Sequence, residues 1–337
     1  RLVEFSQAMM GHLKGGLAHV NVLTSMLFAG LSGSAVADTS AIGSMLIPAM
    51  EKQGYTKKFA AAITAASSVI GPIIPPSGIM IIYAYVMGES VAALFLAGIV
   101  PGLLMGAVLM GMNAWISYRR DFGRENTVSF RELPSVTLRA TPALLMPTIL
   151  LVGIYSGVTT PIEAATIAAL YALVISAALY HSLKLKTLNA MFVESARSAA
   201  SVGLVIGASM ILTYVVVQEN IPQFISGMLS GLEISPLLFL ILVNLLVLIL
   251  GCILDATVII LVIVPLFIPT CEALGIDLIH FGVLIVVNSM IGLITPPYGI
   301  LLFVINAITG IPLQEIIREI WLFLGILLTA LLIMILF

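Results

Sequence analysis

GPIIPPSG, residues 71–78, and GLITPPYG, residues 292–299, each place glycines and paired prolines inside a long apolar run. A plain membrane helix would carry neither, because proline removes a backbone donor and glycine loosens the helix. A second disturbance precedes each: GSAVAD at residues 33–38 and LGCILD at residues 250–255. Asp38 matches Asp255 and Pro48 matches Pro265 at one offset; Gly71, Pro75, Pro76 and Gly78 match Gly292, Pro296, Pro297 and Gly299 after a four-residue insertion. Broken apolar segments in corresponding places of two halves mark the binding site of a secondary transporter.

Composition supports a membrane setting. The chain is 61% hydrophobic and 9% charged, with a mean hydropathy of +1.19, whereas soluble domains are about a quarter charged. The fold class expected is an all-α polytopic membrane protein with inverted repeats, each holding a re-entrant helical hairpin and a broken helix. The net charge of −2 says nothing about nucleic acid, but the sequence has no basic patch with interleaved aromatics, so no nucleic-acid partner is expected. Cys252 and Cys271 lie a helix length apart, too far for a disulfide, and His12, His19, His181 and His280 lack metal-ligand spacing.

Along the chain, residues 1–14 form an amphipathic arm, with Leu2, Phe5, Met9, Met10 and Leu13 at helical spacing. Residues 15–88 make the first repeat, with a hairpin over 17–50, joined by LSGSAVAD, and a broken helix over 59–87. Each hairpin leg spans only about 20 Å, short of a hydrocarbon core of ~30 Å, so the tip is expected near mid-membrane. Residues 89–234 supply scaffold and connecting helices, with spans at 90–118, 141–156, 160–180 and 190–217. The amphipathic pattern returns at 221–232. Residues 235–308 make the second repeat, with a hairpin over 236–273 and a broken helix over 280–308; 309–337 form a last scaffold helix. The first copy has nothing before Arg1 to match the spans preceding the second arm, so roughly 80 residues of three helices are expected upstream.

Five spans lie between the hairpins, and a hairpin returns to its own side, so the two enter from opposite faces. Charge supports this count. Arg1, Lys14, Lys52, Lys57, Lys58, Arg119, Arg120, Arg124, Arg131, Arg139, Lys184, Lys186 and Arg318 all fall on one side, and Arg197 lies near that end of its helix. The opposite loops contain no Lys or Arg. The charged face is cytoplasmic by the positive-inside rule.

Unwound backbone inside a bilayer must be satisfied by protein or a polar cavity. Carbonyls freed beside a hairpin tip suit Na⁺, a hard cation. The candidates are Ser32, Gly71, Ile74 and Pro76 in the first half and Gly251, Gly292, Thr295 and Pro297 in the second. Helix N-termini near Ser77 and Tyr298 present positive ends to an anionic substrate, with Ser34 at the first tip. Asp38 and Asp255 are costly inside a membrane and therefore candidate site residues. Three roles compete for them: cation ligand, helix cap and proton carrier, with capping favoured at Asp38. Glu163, behind Pro161, is either a substrate contact or a first-turn helix carboxylate. Met105, Met110 and Met112 read as lipid-facing or packing surface, and Trp115 and Trp321 as interfacial anchors. An ion channel or an intramembrane aspartyl protease would be the alternatives.

GGLAHVNVLTSMLFAGLSGSAVADTSAIG (residues 15–43), GPIIPPSG, SGVTTPIEAA (156–165) and HFGVLIVVNSMIGLITPPYG (280–299) resemble the large membrane subunit of tripartite ATP-independent periplasmic (TRAP) transporters. The resemblance covers essentially the whole chain. It implies a bacterial or archaeal inner-membrane importer driven by Na⁺, moving its hairpin domain as an elevator. It also implies a small four-helix membrane subunit, separate or fused, and a periplasmic substrate-binding protein. The implied substrates are organic acids: C4-dicarboxylates, sialic acids, sugar acids or keto acids. Tyr298 departs from the smaller residue of many relatives, which would reshape the site.

Overall fold

Glycine, proline and serine decide where the helices stop. The structure, a computed structural model, describes residues 1–123, 133–230 and 234–337. Arg124 and Arg131, and with them part of the charge count, lie outside these residues, as does Leu232 of the second amphipathic segment. α1 (Leu2–Met10) leads into the first hairpin, α2 (Gly16–Ser32) and α3 (Ala35–Lys52). Gly33, left-handed at φ 58°, closes α2, and the Ser34 side chain caps α3 by accepting from the Ala37 N–H. The link is thus two residues wide rather than the eight of LSGSAVAD, because a left-handed glycine and a serine cap end one helix and start the next with no spacer. The legs lengthen accordingly to about 26 Å, still under the hydrocarbon thickness.

The first broken helix comprises α4 (Lys57–Ser68) and α5 (Gly78–Met87), followed by α6 (Val91–Arg119), α7 (Leu133–Tyr155), α8 (Pro161–Ala178) and α9 (Leu185–Gln218). The second half repeats the order. An arm helix, α10 (Ile221–Ser230), precedes a hairpin of α11 (Pro236–Gly251) and α12 (Ala256–Ala273). Within α12 the ladder widens to a π-helix at Ile259–Ile263 and tightens to a 3₁₀ turn at Val264–Phe267, next to Pro265, which has no N–H to give. The second broken helix, α13 (Leu278–Gly292) and α14 (Ile300–Thr309), is followed by α15 (Leu313–Leu336). Both breaks contain a cis Pro–Pro peptide, Pro75–Pro76 and Pro296–Pro297. Among the described residues six helices are long and apolar enough to cross a membrane. The protein is an all-α polytopic membrane protein.

Packing exchanges parts between the halves. α5 packs on α12, the returning leg of the other half's hairpin, and α14 packs on α3 in the same way. α6 and α15 run alongside both halves and measure their orientation. Near the C-terminal end of α6, the Gly15 N–H donates to Gly123 O (3.0 Å) and Tyr55 meets Phe122 at 4.5 Å between ring centroids. The base of the first hairpin is therefore at that end. Ala97–Leu104, toward the other end of α6, face Asp277–Leu284, at the base of the second hairpin. There the Tyr83 hydroxyl donates to Leu278 O (2.6 Å). The hairpins enter from opposite ends, as the count of spans requires.

α6 and α15 bury their faces against α2, α4 and α13. By contrast α9 is exposed along nearly its whole length. Met105 is wholly buried in the core, while Trp115 and Trp321 are about half exposed, Trp115 under the Arg119 guanidinium. Outside the helices, the Lys14 ammonium hydrogen-bonds Asp121 and holds that carboxyl below the usual range.

Arg120 pairs with Glu319 where the ends of α6 and α15 meet, and its guanidinium lies 5.5 Å from the Phe59 ring centroid. The Glu319 side chain is 8% exposed and that of Arg120 33%. Removing one partner of a fully buried pair costs about 3–5 kcal/mol. Discounted for the water reaching Arg120, Glu319→Ala is expected to cost about 1–3 kcal/mol, seen as a lower melting temperature in detergent. An unchanged melting temperature would mean that solvent already screens the pair.

Candidate transport site

Both hairpin tips and both helix breaks open onto one cavity of about 680 Å³. The first half contributes Gly33 to Val36, Pro72 and Gly78; the second contributes Asp255 to Thr257, Met290, Leu293 and Ile300. The outer wall is the middle of α9, with Ser198, Val202, Gly203 and Ile206. Among the described residues no Lys or Arg lines the cavity. Helix N-termini, which carry a partial positive charge, stand at its rim: α3, α5 and the opening turn of α12 begin there. Ser34, Thr257 and Ser198 offer hydroxyls, and Asp255 is the one carboxylate among the described lining residues.

The two aspartates differ. Asp255 is exposed and caps α12, accepting from the Thr257 N–H at 2.8 Å. Asp38 does not cap its helix; Ser34 does, and Asp38 follows one turn later, fully buried. This reverses the sequence expectation that capping belongs to Asp38 more than to Asp255. The reason is that Ser34, at the helix start, has the short hydroxyl that reaches the first free N–H groups. Asp38 instead accepts from the Ser32 hydroxyl through Oδ1, while Oδ2 is buried without a hydrogen-bond partner. That oxygen lies against Gly71: a Cβ there would be 2.2 Å from it. The first tip and first break are thus in contact through a carboxylate. A Cβ on Gly33 would lie 3.3 Å from the Pro76 carbonyl oxygen, on the same contact.

The second half matches the first in backbone but not in charge. Gly251 and Gly292 pack backbone to backbone, and Thr295 donates to Ile291 O at 2.8 Å. Leu301 N–H crosses the break to Leu293 O at 3.1 Å. Pro297 lies in this break; α14 then begins at Ile300 behind a left-handed Gly299, two residues beyond Tyr298. Tyr298 is half exposed and rests on Phe303, 5.0 Å between ring centroids.

Other sequence candidates go elsewhere. Ser77 is buried, donates to Pro72 O and caps α5 by accepting from Met80 N–H, so its hydroxyl is spent on the break. The Ile74 side chain packs toward Gly102 of α6 and offers the site only backbone. Glu163 completes a capping box with Thr160 (2.8 Å from the Thr160 N–H) at the start of α8, which packs on α7; it does not line the cavity. The α9 wall and Thr257 were not among the sequence candidates. The one sequence signal of the α9 wall is the run of small residues in SARSAASVG, residues 195–203.

This architecture is that of an all-α polytopic membrane protein, and the comparisons give its family. The chain matches the family model described as "Tripartite ATP-independent periplasmic transporter, DctM component" over residues 1–337, and it belongs to that family. It is 41% identical over 318 residues to the C4-dicarboxylate TRAP transporter large permease protein DctM of Pseudomonas aeruginosa, covering 94% of this chain and 74% of that one. It is 38% identical over 318 residues to the sialic acid TRAP transporter large permease protein SiaM of Vibrio cholerae, with the same coverage. A third similar protein, at 35% over 321 residues (95% and 76%), is the 2,3-diketo-L-gulonate TRAP transporter large permease protein YiaN of Escherichia coli. These relatives are transporter permeases, and the chain is a permease rather than an enzyme.

Proposed function

We propose that this chain is the translocating subunit of a Na⁺-coupled importer of an organic acid in a bacterial or archaeal inner membrane. The observation that carries this reading is the shared cavity, where tips from opposite faces and both helix breaks converge. Its substrate class is that of the relatives' names: a C4-dicarboxylate, a sialic acid or a keto acid. The substrate carboxylate is received by helix N-termini and the hydroxyls of Ser34 and Thr257, since among the described residues no basic side chain lines the cavity. Where the acid carries a hydroxyl, Asp255 accepts from it.

Na⁺ travels as cargo beside each tip. In the first half Ser32, Asp38 and the carbonyls around Gly71, Ile74 and Pro76 would hold it. In the second, Thr295 and the carbonyls of Gly251, Gly292 and Pro297 would do so. Bound Na⁺ satisfies the buried Asp38 oxygen and locks the first tip against the break, which shapes the adjoining carboxylate end of the cavity. Coupling follows, because ion and substrate favour the same tip position. The hairpin body then moves past the α9 wall as an elevator. A periplasmic substrate-binding protein delivers the acid, and a small four-helix membrane subunit steadies the scaffold.

The decisive measurement is uptake into proteoliposomes containing the complete transporter. Accumulation requiring both an inward Na⁺ gradient and the binding protein is expected. Accumulation driven by a pH gradient without Na⁺ would overturn the coupling, and ion current without the binding protein would point to a channel.

A further inference from the structure

Gly98, Gly102 and Gly106 recur along α6 at a spacing that puts them on one face of the helix. Glycine weakens a helix interior, so a row of them calls for a reason. What lies where each Cβ would stand supplies it. At Gly98 that place is 2.8 Å from the Ile73 carbonyl oxygen and 2.6 Å from Cε of Met80. At Gly102 it is taken by the Ile74 side chain, from Cγ1 outward, and at Gly106 by the thioether of Met26. Close approach of two helices is the usual reason for small residues in membrane spans. It accounts for Gly106, which meets α2, but not for Gly98 and Gly102, whose nearest backbone is that of the unwound break.

The second half has no such row. Gly88 and Gly310 end α5 and α14 alike, left-handed at φ 72° and 68°. Aligning them pairs Gly98, Gly102 and Gly106 with Ile320, Leu324 and Leu328 of α15. The repeated fold by itself therefore does not demand glycine at these places. The first break differs in being held from two sides. On one side is the tip, with Asp38 Oδ2 against Gly71, and Gly33 against the Pro76 carbonyl oxygen. On the other is α6, with Gly98 under Ile73 and Gly102 under Ile74. Asp38 is wholly buried and its Oδ2 has no hydrogen-bond partner, which marks the tip side as the one that faces a cation.

We propose that Gly98 and Gly102 are positioning residues for the first ion site: they let the Ile73–Ile74 backbone sit down on α6 and so set the distance between the break's carbonyls and Asp38. The proposal rests on the reading of that contact as a Na⁺ site. A binding constellation works only when its groups stay within about 0.5 Å of the productive geometry. A methyl on Gly98 meets a backbone oxygen, and one on Gly102 meets the root of a β-branched side chain with little rotamer freedom. Neither can yield unless the break moves. A methyl on Gly106 meets the flexible end of Met26, which can turn aside.

The test is equilibrium binding of radiolabelled Na⁺ to the purified complete transporter in detergent, with melting in KCl as a separate measure of folding. Wild type is expected to bind Na⁺ saturably. Gly98→Ala and Gly102→Ala are each expected to move one component of the binding curve to about tenfold higher Na⁺, the scale of one weakened contact to a charged group. Gly106→Ala is expected to keep the wild-type curve. Ile74→Ala deletes the atoms that a Gly102 methyl would strike, so combining it with Gly102→Ala is expected to restore the wild-type curve. Deleting a second side chain would not repair a general loss of packing. That pair carries the test should Gly98→Ala fold poorly. Wild-type binding in folded Gly98→Ala and Gly102→Ala would overturn the proposal and leave the Na⁺ reading standing. An equal shift in Gly106→Ala, or no recovery in the combined variant, would also overturn it. Wild type that binds no Na⁺ would overturn the reading of the site and the proposal with it.

Discussion

Asp38→Asn will lower Na⁺-driven uptake by roughly 10- to 100-fold, the scale of one hydrogen bond or ligand contact to a charged group. The substitution keeps the shape of the side chain and an acceptor for the Ser32 hydroxyl. What it removes is charge on the buried oxygen facing Gly71, which has no other partner. Folding should survive, because an uncharged amide is less costly to bury than a carboxylate. Asp255→Asn is the informative comparison. Asparagine caps a helix about as well as aspartate, so α12 keeps its start and Na⁺ dependence should stay near wild type. Initial rates of uptake across a Na⁺ titration separate the two. Asp38→Asn with wild-type rate and Na⁺ dependence would remove that carboxylate from the ion site. Uptake that follows a pH gradient in wild type but not in the variant would make Asp38 a proton carrier instead.

Gly292→Ala is the second large effect. An added Cβ would stand 2.7–2.8 Å from the Gly251 backbone, which has no flexible side chain to yield. Overpacking of this kind costs about 1–3 kcal/mol, or more where only backbone can move. The second tip would be pushed off its break, so uptake should fall along with the melting temperature. Gly251→Ala should be milder, since its Cβ meets the Gly292 Cα at 3.3 Å. Gly325→Ala is the control: it is in the middle of α15 with nothing within 4 Å, and alanine there should be neutral or slightly stabilising. If Gly292→Ala melted and transported like Gly325→Ala, the tight tip-to-break contact would be refuted.

Much of the fold was legible in the sequence because its signals are local. Hydropathy, the spacing of glycine and proline, and the one-sided distribution of Lys and Arg all survive without tertiary context. Together they determined a membrane protein of inverted halves, the positions of the hairpins and breaks, and the resemblance to the TRAP large subunit.

The roles of individual side chains were not legible. Whether Ser34 or Asp38 caps α3 turns on one turn of helix and on what lies across from it. Gly71 and Ser32 decide that Asp38 is buried, and they belong to different elements. The α9 wall is distant in sequence from both tips, and nothing in its small residues says which of its faces meets them. For the same reason the sequence could not separate α6 and α15, which are buried against the hairpins, from α9, which is exposed along nearly its whole length. In a bilayer a helix facing protein and a helix facing lipid are both apolar, so hydropathy marks the span but not its neighbour. Only the tertiary structure, by bringing distant faces into contact, decided which polar groups share the cavity and which merely end a helix.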